Sequence, residues 1–264
     1  MKTVIPALGF VVALAGCGTT YDVPGTGPAG TAANAPVEAG SSRNRSHYAQ
    51  VRQRIKPAAE ALCREEAPNA SRTYCNFRFE YITDPDAPPN AFQTLSDDGR
   101  PLVIMTDTLL QQMRSDDEIA MVLAHEAAHH IATHIPKQQQ NQVLGAILLG
   151  GITAVAGGGY ATQENIEQAM NIGASVAGRA YSQTYELEAD WLGAFIAARA
   201  GYDPERGAQI FGRPALASSA GGTLLSTHPA SPQRRQLVAR ATDEIRRQQA
   251  AGLVPKPAYA DGIF

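Results

Sequence analysis

Apolar residues at Val51, Ile55, Ala58, Ala59 and Leu62 recur at helical spacing and predict a helix from near His47 to around Cys63–Pro68. From Tyr74 to Thr83 the period changes to two, with Phe77, Phe79 and Tyr81 on one side, which reads as a strand. The run from Asp84 to Pro89, with three prolines, breaks it. Asn90, Ala91 and Phe92, a turn at Asp97-Asp98-Gly99 and an apolar stretch from Leu102 to Met105 then fit an antiparallel hairpin.

Ser115-Asp116-Asp117-Glu118 forms a capping box: the Ser115 hydroxyl accepts from the Glu118 N–H, and the Glu118 carboxylate reaches back to the Ser115 N–H. The helix it opens is expected to reach about His134 and stop at Pro136, with Ile119, Val122, Leu123 and Ile131 toward the core. A second long helical region covers Ile166 to Ala200, ended by Gly201 and turned by Tyr202-Asp203-Pro204. The last helix, Ser231 to Gln249, is basic and amphipathic, with Leu237, Val238 and Ile245 inward and its arginines on a solvated face. No internal repeat stands out. The fold class read from these elements is α+β, mainly helical, with a small mixed or antiparallel sheet.

Before the first helix the pattern is different. Residues 1–16 read as a signal peptide, with Lys2 as its cationic start and an apolar run from Val4 to Ala15. Leu14-Ala15-Gly16-Cys17 resembles the lipobox of bacterial lipoproteins, in which Cys17 is lipidated and becomes the mature N-terminus. The alternative is an ordinary signal peptide or membrane anchor that happens to hold a cysteine. Gly18 stands where many retained inner-membrane lipoproteins carry Asp, which by that analogy favours the outer membrane. Residues 17–46 are rich in Gly, Pro, Ala, Thr and Ser and read as a flexible tether of about 30 Å. Residues 47–264 are then one folded domain. Within it, Val143 to Tyr160 is uncharged and rich in glycine. It reads as an apolar hairpin or interfacial helix near the active site, with a membrane span or a buried core helix as alternatives.

Composition narrows the function classes. Of the 264 residues 44% are hydrophobic, enough for a real core, and the formal charge is −3, which offers no basic field for nucleic acid. The chain has three cysteines; with Cys17 lipidated, Cys63 and Cys75 remain as a pair that predicts a disulfide in an oxidising compartment. Two free or metal-binding thiols are the alternative, although their spacing matches no common zinc knuckle.

The chemistry enters at His125-Glu126-Ala127-Ala128-His129, an H-E-x-x-H pattern inside the capped helix. Two His four residues apart project from one helical face and can share one zinc ion, while Glu126 lies beside the metal as a general base for the attacking water. A metzincin would need Gly and His at positions 132 and 135, which are Ala132 and Ile135, so a third ligand comes from elsewhere. Glu186, with Asp190 four residues on, is the better candidate: Glu186 as ligand and Asp190 as acceptor for a ring N–H, expected at His125. Glu188 points elsewhere on that helix. His130 and His134 lie off the zinc face and are expected to stabilise the helix C-terminus through its dipole. Tyr181 and Tyr185 could donate to a substrate carbonyl or simply fill the core.

These motifs, in this order, resemble the CAAX prenyl protease, HtpX and BepA-type family of zinc metallopeptidases. The likeness runs from about Phe77 to Leu237 and takes in Asn90-Ala91-Phe92, His125 to His129 with a further His134, Glu186 to Trp191, Gly201-Tyr202-Asp203-Pro204, and Ser226-Thr227-His228-Pro229 with Arg234. The resemblance implies a gluzincin-like domain holding one Zn2+ per chain, with an edge strand around Asn90, Ala91 and Phe92 that pairs with extended substrate. It also places His228 near the metal, as a removable ligand that blocks the site or as a donor to the oxyanion; a purely structural turn is the alternative. Arg234 either pairs with a carboxylate that orders the site or lies at the surface. No TPR-like repeat extends the C-terminal part.

The function expected on this basis is zinc-dependent endopeptidase activity on unfolded or misassembled envelope proteins. The enzyme would be held in the periplasm, on the inner leaflet of the outer membrane through Cys17, with outer-membrane assembly factors as possible partners. Two other classes remain: a chaperone-like adaptor or latent protease that acts by binding, and hydrolysis of a small amide or cell-wall crosslink.

Overall fold

The computed structural model describes residues 45–138, 181–217 and 223–258. The signal peptide, Cys17, all but the end of the tether, the apolar stretch 143–160 and the 166–180 part of the second helical region lie outside the described residues. Helix α1 spans Arg45–Glu66 and buries Val51, Ile55, Ala59 and Leu62 on one face. Its last turn is tied to the chain ahead of the sheet by a disulfide between Cys63 and Cys75, whose Cα atoms lie 5.6 Å apart. Closing a loop of that length restricts the unfolded chain and stabilises the fold by about 3 kcal/mol.

The sheet is mixed, with order β1-β3-β2 for β1 (Arg78–Ile82), β2 (Ala91–Leu95) and β3 (Pro101–Thr106). β1 runs parallel to β3, and β2 runs antiparallel to it with Ala91 opposite Met105 and Leu95 opposite Pro101. The β2–β3 turn closes through Ser96 N–H to the Arg100 carbonyl at 2.9 Å, with Gly99 at φ +75°, a conformation that favours glycine. β2 is therefore an outer strand. Phe92 (36% exposed) and Leu95 (54% exposed) stand at its surface.

A short helix α2 (Asp107–Leu110) leads to α3 (Asp116–Ile131), the centre of the molecule. Sequence periodicity gave α3 one core face, but every residue from Glu118 to Ile131 is buried. The reason is that α1, the sheet and helix α4 (Gln183–Arg199) pack against different sides of it. α4 approaches closely because Gly193 presents no side chain to the His125 backbone; a Cβ there would lie 3.1 Å from the His125 nitrogen. α4 ends at Gly201, φ +80°, and Asp203 caps the short α5 (Pro204–Gly207). Two 3-10 turns (Ala208–Gly212 and Pro214–Leu216), the short α6 (Leu224–Thr227) and the long α7 (Pro232–Ala250) complete the described chain, with α7 packed on α4.

Two local features depart from the sequence reading. Ser115 Oγ accepts from the Glu118 N–H at 3.2 Å, but the Glu118 carboxylate accepts from the Arg114 N–H at 2.6 Å and pairs with Arg213, which draws it away from Ser115. α3 stops at Ile131, not His134, because Thr133 turns into the left-handed region at φ 57°. A new helical turn starts at His134 and carries Pro136 in its first turn, where a missing N–H costs nothing. Among the described residues no helix is long and apolar enough to cross a membrane.

Candidate active site and metal centre

Four buried donors converge where α3, α4 and the turn after α6 meet: His125, His129, Glu186 and His228. One helical turn separates the two α3 histidines, and their Nε2 atoms lie 3.0 Å apart. Glu186, in the first turn of α4, sets its carboxylate oxygens 3.4 Å from each of those nitrogens. His228 Nδ1 lies 3.0 Å from Glu186 Oε1 and 3.3 Å from His125 Nε2. The His228 turn is itself anchored beside the sheet, since the Leu224 N–H donates to the Pro89 carbonyl and Thr227 Oγ1 donates to Asn90 Oδ1.

The donor set fits a metal ion. A tetrahedral ion with arms of about 2.0–2.1 Å has donor-to-donor edges of about 3.3–3.4 Å; five distances between these residues run from 3.0 to 3.4 Å, and one donor atom from each of the four lies within 4.8 Å of the others. Asp190 Oδ1 lies 3.0 Å from His125 Nδ1, and a carboxylate can only accept, so one ring proton is held at Nδ1 and Nε2 is the atom that gives up its proton to turn a lone pair to a metal. Beside it Glu126 is wholly buried, and among the described residues neither of its carboxylate oxygens has a hydrogen-bond partner; Oε1 lies 3.3 Å from His228 Nε2. A buried acidic side chain that makes no hydrogen bond among the described residues, beside a cluster of ligand atoms, is placed for a bound water or an ion rather than for structure.

Arg234 holds the cluster from below. Its guanidinium donates to both Asp190 oxygens at 2.7 and 2.8 Å, pairs with Glu186 Oε2 at 2.7 Å and donates to the His228 carbonyl at 3.1 Å. It also lies over the Phe211 ring. Burial opposes charge on His125, but Glu186 and Asp190 outweigh it and raise the ring to about 9 in the metal-free protein. Burial pushes His129 well below the ordinary histidine value despite Glu186. Burial also works against the Glu186 carboxylate, but His228, Arg234 and His125 hold it well below the usual range.

Two residues that sequence reasoning set aside, His134 and Glu188, belong to this neighbourhood. His134 lies 2.7 Å from His129, Nδ1 to Nδ1, and its Nε2 lies 3.0 Å from Glu188 Oε2. Neither residue serves the helix dipole or points away, because the break at Thr133 swings His134 back onto α4. The Tyr181 ring stacks on His129 at 4.0 Å and the Tyr185 ring on His134 at 4.4 Å, while Gln93 Nε2 on β2 donates to the Tyr181 hydroxyl at 3.2 Å. His130 packs instead against Tyr74, its Nε2 2.8 Å from the Tyr74 carbonyl. Ala91 and Phe92 lie on the outer strand β2, and Asn90 precedes it as the hinge to the His228 turn. Sequence gave one usable signal for the missed pair: Glu188 lies between the two acids of Glu186-Leu187-Glu188-Ala189-Asp190, on a helix that proves buried all round.

Comparisons with known proteins agree with this geometry. A 160-residue stretch is 31% identical to the mitochondrial metalloendopeptidase OMA1 of Saccharomyces cerevisiae, covering 58% of this chain and 43% of that protein. The OMA1 of Arabidopsis thaliana is 30% identical over 53% of this chain and 27% of its own length. The metalloprotease LoiP of Escherichia coli is 29% identical over 48% of this chain and 50% of its own. The chain thus spans half or less of the length of these relatives. The model of peptidase family M48 matches residues 48–242, which takes in every donor of the cluster, and the chain belongs to that family.

Proposed function

We propose that the protein is a zinc-dependent endopeptidase in which His125, His129 and Glu186 hold the metal and Glu126 moves the proton. The observation that carries this reading is the buried cluster of four ligand atoms beside a carboxylate that has no hydrogen-bond partner among the described residues. Zinc bound there would lower the pKa of the attacking water and polarise the scissile carbonyl. Glu126 would take the water proton and pass it to the leaving amide nitrogen. Asp190 and Arg234 hold His125 and Glu186 in place through the contacts described above. The outer edge of β2, with Phe92 exposed beside the site, would receive substrate as an added strand, which selects extended or unfolded chains over folded ones.

In this reading His228 is the removable fourth ligand, and the closed four-donor set is the resting state, since a catalytic zinc needs an open position. The sequence likeness to the CAAX prenyl protease, HtpX and BepA-type members supports the same role. The lipobox-like sequence at Cys17 supports a lipid-anchored enzyme on the inner leaflet of a bacterial outer membrane, which would take misassembled envelope proteins as substrates and assembly factors as partners. A second reading, an adaptor or latent protease that binds without cutting, is favoured by the same closed set.

Two variables separate these readings. The zinc-loaded full chain should cleave a reduced, unfolded protein, lose that activity to a chelator and regain it with zinc. His228→Ala should cleave about tenfold faster or more if His228 closes the site. One zinc per chain with retained binding of unfolded protein, but no cleavage by either form, would support the adaptor.

A further inference from the structure

Behind the α3 histidines runs a buried chain of polar atoms that peptide hydrolysis does not itself require. Glu188 Oε2 faces His134 Nε2 at 3.0 Å, and His134 Nδ1 faces His129 Nδ1 at 2.7 Å. All three side chains are fully buried, so water cannot exchange into either contact. The protons in such a chain are fixed from its acidic end. A carboxylate offers no proton, so His134 must donate from Nε2. The neutral ring then has only an acceptor at Nδ1, which obliges His129 to donate from its own Nδ1. That leaves the His129 lone pair on Nε2, the atom turned toward His125 and Glu186. Tyr181 and Tyr185, stacked on the two rings, hold their planes.

We infer that Glu188 and His134 are positioning residues that lock His129 as a metal ligand, in parallel with Asp190 acting on His125. The inference rests on the metal-centre reading and deepens it: each of the two α3 histidines has its own buried carboxylate, His125 directly and His129 through an imidazole. The wrong His129 tautomer would put a proton on the atom that must face the ion.

The test is the zinc affinity of the full chain in detergent, read by competition with a chromophoric chelator, together with the visible absorption of the cobalt-loaded protein. His134→Leu removes the acceptor and is expected to weaken zinc binding about 10- to 100-fold and to change the cobalt bands. His134→Asn restores an oxygen near the position of Nδ1 and is expected to recover most of that loss. Circular dichroism of the metal-free proteins reports folding separately. Should His134→Leu fail to fold, Glu188→Gln decides: its uncharged amide holds the His134 proton less firmly, and a loss of about threefold or more is expected. Affinity within about twofold of wild type in a folded variant overturns the relay and leaves the metal centre standing. Weakened binding that His134→Asn does not restore also overturns it, since volume rather than the hydrogen bond is then what matters. A wild-type chain that binds no zinc removes the metal centre and the relay together.

Discussion

Arg234 carries its charge where water does not reach it, shared between Asp190 and Glu186 and set against the Phe211 ring. Removing one partner of such a network leaves the others charged and unpaired, so Arg234→Ala is expected to cost about 3–5 kcal/mol in chemical denaturation of the metal-free protein. Lysine should not rescue it, because one ammonium cannot reproduce the two-pronged contact to Asp190. A loss below about 1 kcal/mol would contradict this account of the site. Periodicity alone put the arginines of α7 on a solvated face, because it cannot tell which one turns under a neighbouring helix; only the family resemblance singled out Arg234, and it left a carboxylate pair and a surface position both open. His125 and His129 were legible because four residues on a continuous helix is one turn. His134 was not, since its placement depends on the left-handed residue at Thr133, which no local pattern announces. Glu188 escaped for a related reason: on a helix buried on all sides, no angular position is idle.

At the scale of elements, the site depends on how closely α3 and α4 approach. Gly193→Ala would set a methyl 3.1–3.3 Å from backbone atoms of Ala124 and His125, contacts that backbone cannot yield without moving a helix. The expected result is about 1–3 kcal/mol of destabilisation, with zinc affinity falling alongside because His125 and Glu186 sit on the two helices being separated. Unchanged zinc affinity in a destabilised variant would show that the cluster tolerates helix movement. The disulfide acts on a different link, the end of α1 and the entry to β1. Cys63→Ser with Cys75→Ser should lower stability by about 2–4 kcal/mol in calorimetry while leaving zinc affinity near wild type, because neither cysteine touches the cluster. The capped start of α3, the hairpin of β2 and β3, and the glycine stop of α4 were all readable from local signals. The parallel pairing of β1 with β3 was not, since it joins strands separated by the whole β2 hairpin and has no turn to mark it.

For the whole molecule, metal binding and folding are linked. His125 is raised to about 9 in the metal-free protein, above its ordinary 6.5, so at pH 7 it carries a proton that it must give up to bind a metal. Zinc binding at pH 7 should therefore release a proton to buffer, and affinity should climb with pH until about pH 9. Calorimetry in buffers of different ionisation enthalpy reads this; heats that do not vary with buffer would contradict it. Zinc at about a thousand times its dissociation constant should add about 4 kcal/mol to stability, and a chelator should remove that increment. The most direct test of the central claim is cleavage of a reduced, unfolded protein by the zinc-loaded full chain, beside Glu126→Gln at equal zinc content. The account predicts cleavage by wild type and a rate at least about a hundredfold lower for Glu126→Gln, with the metal still bound. Equal cleavage by the two would contradict it, because the carboxylate assigned to move the proton would then have no part in the reaction.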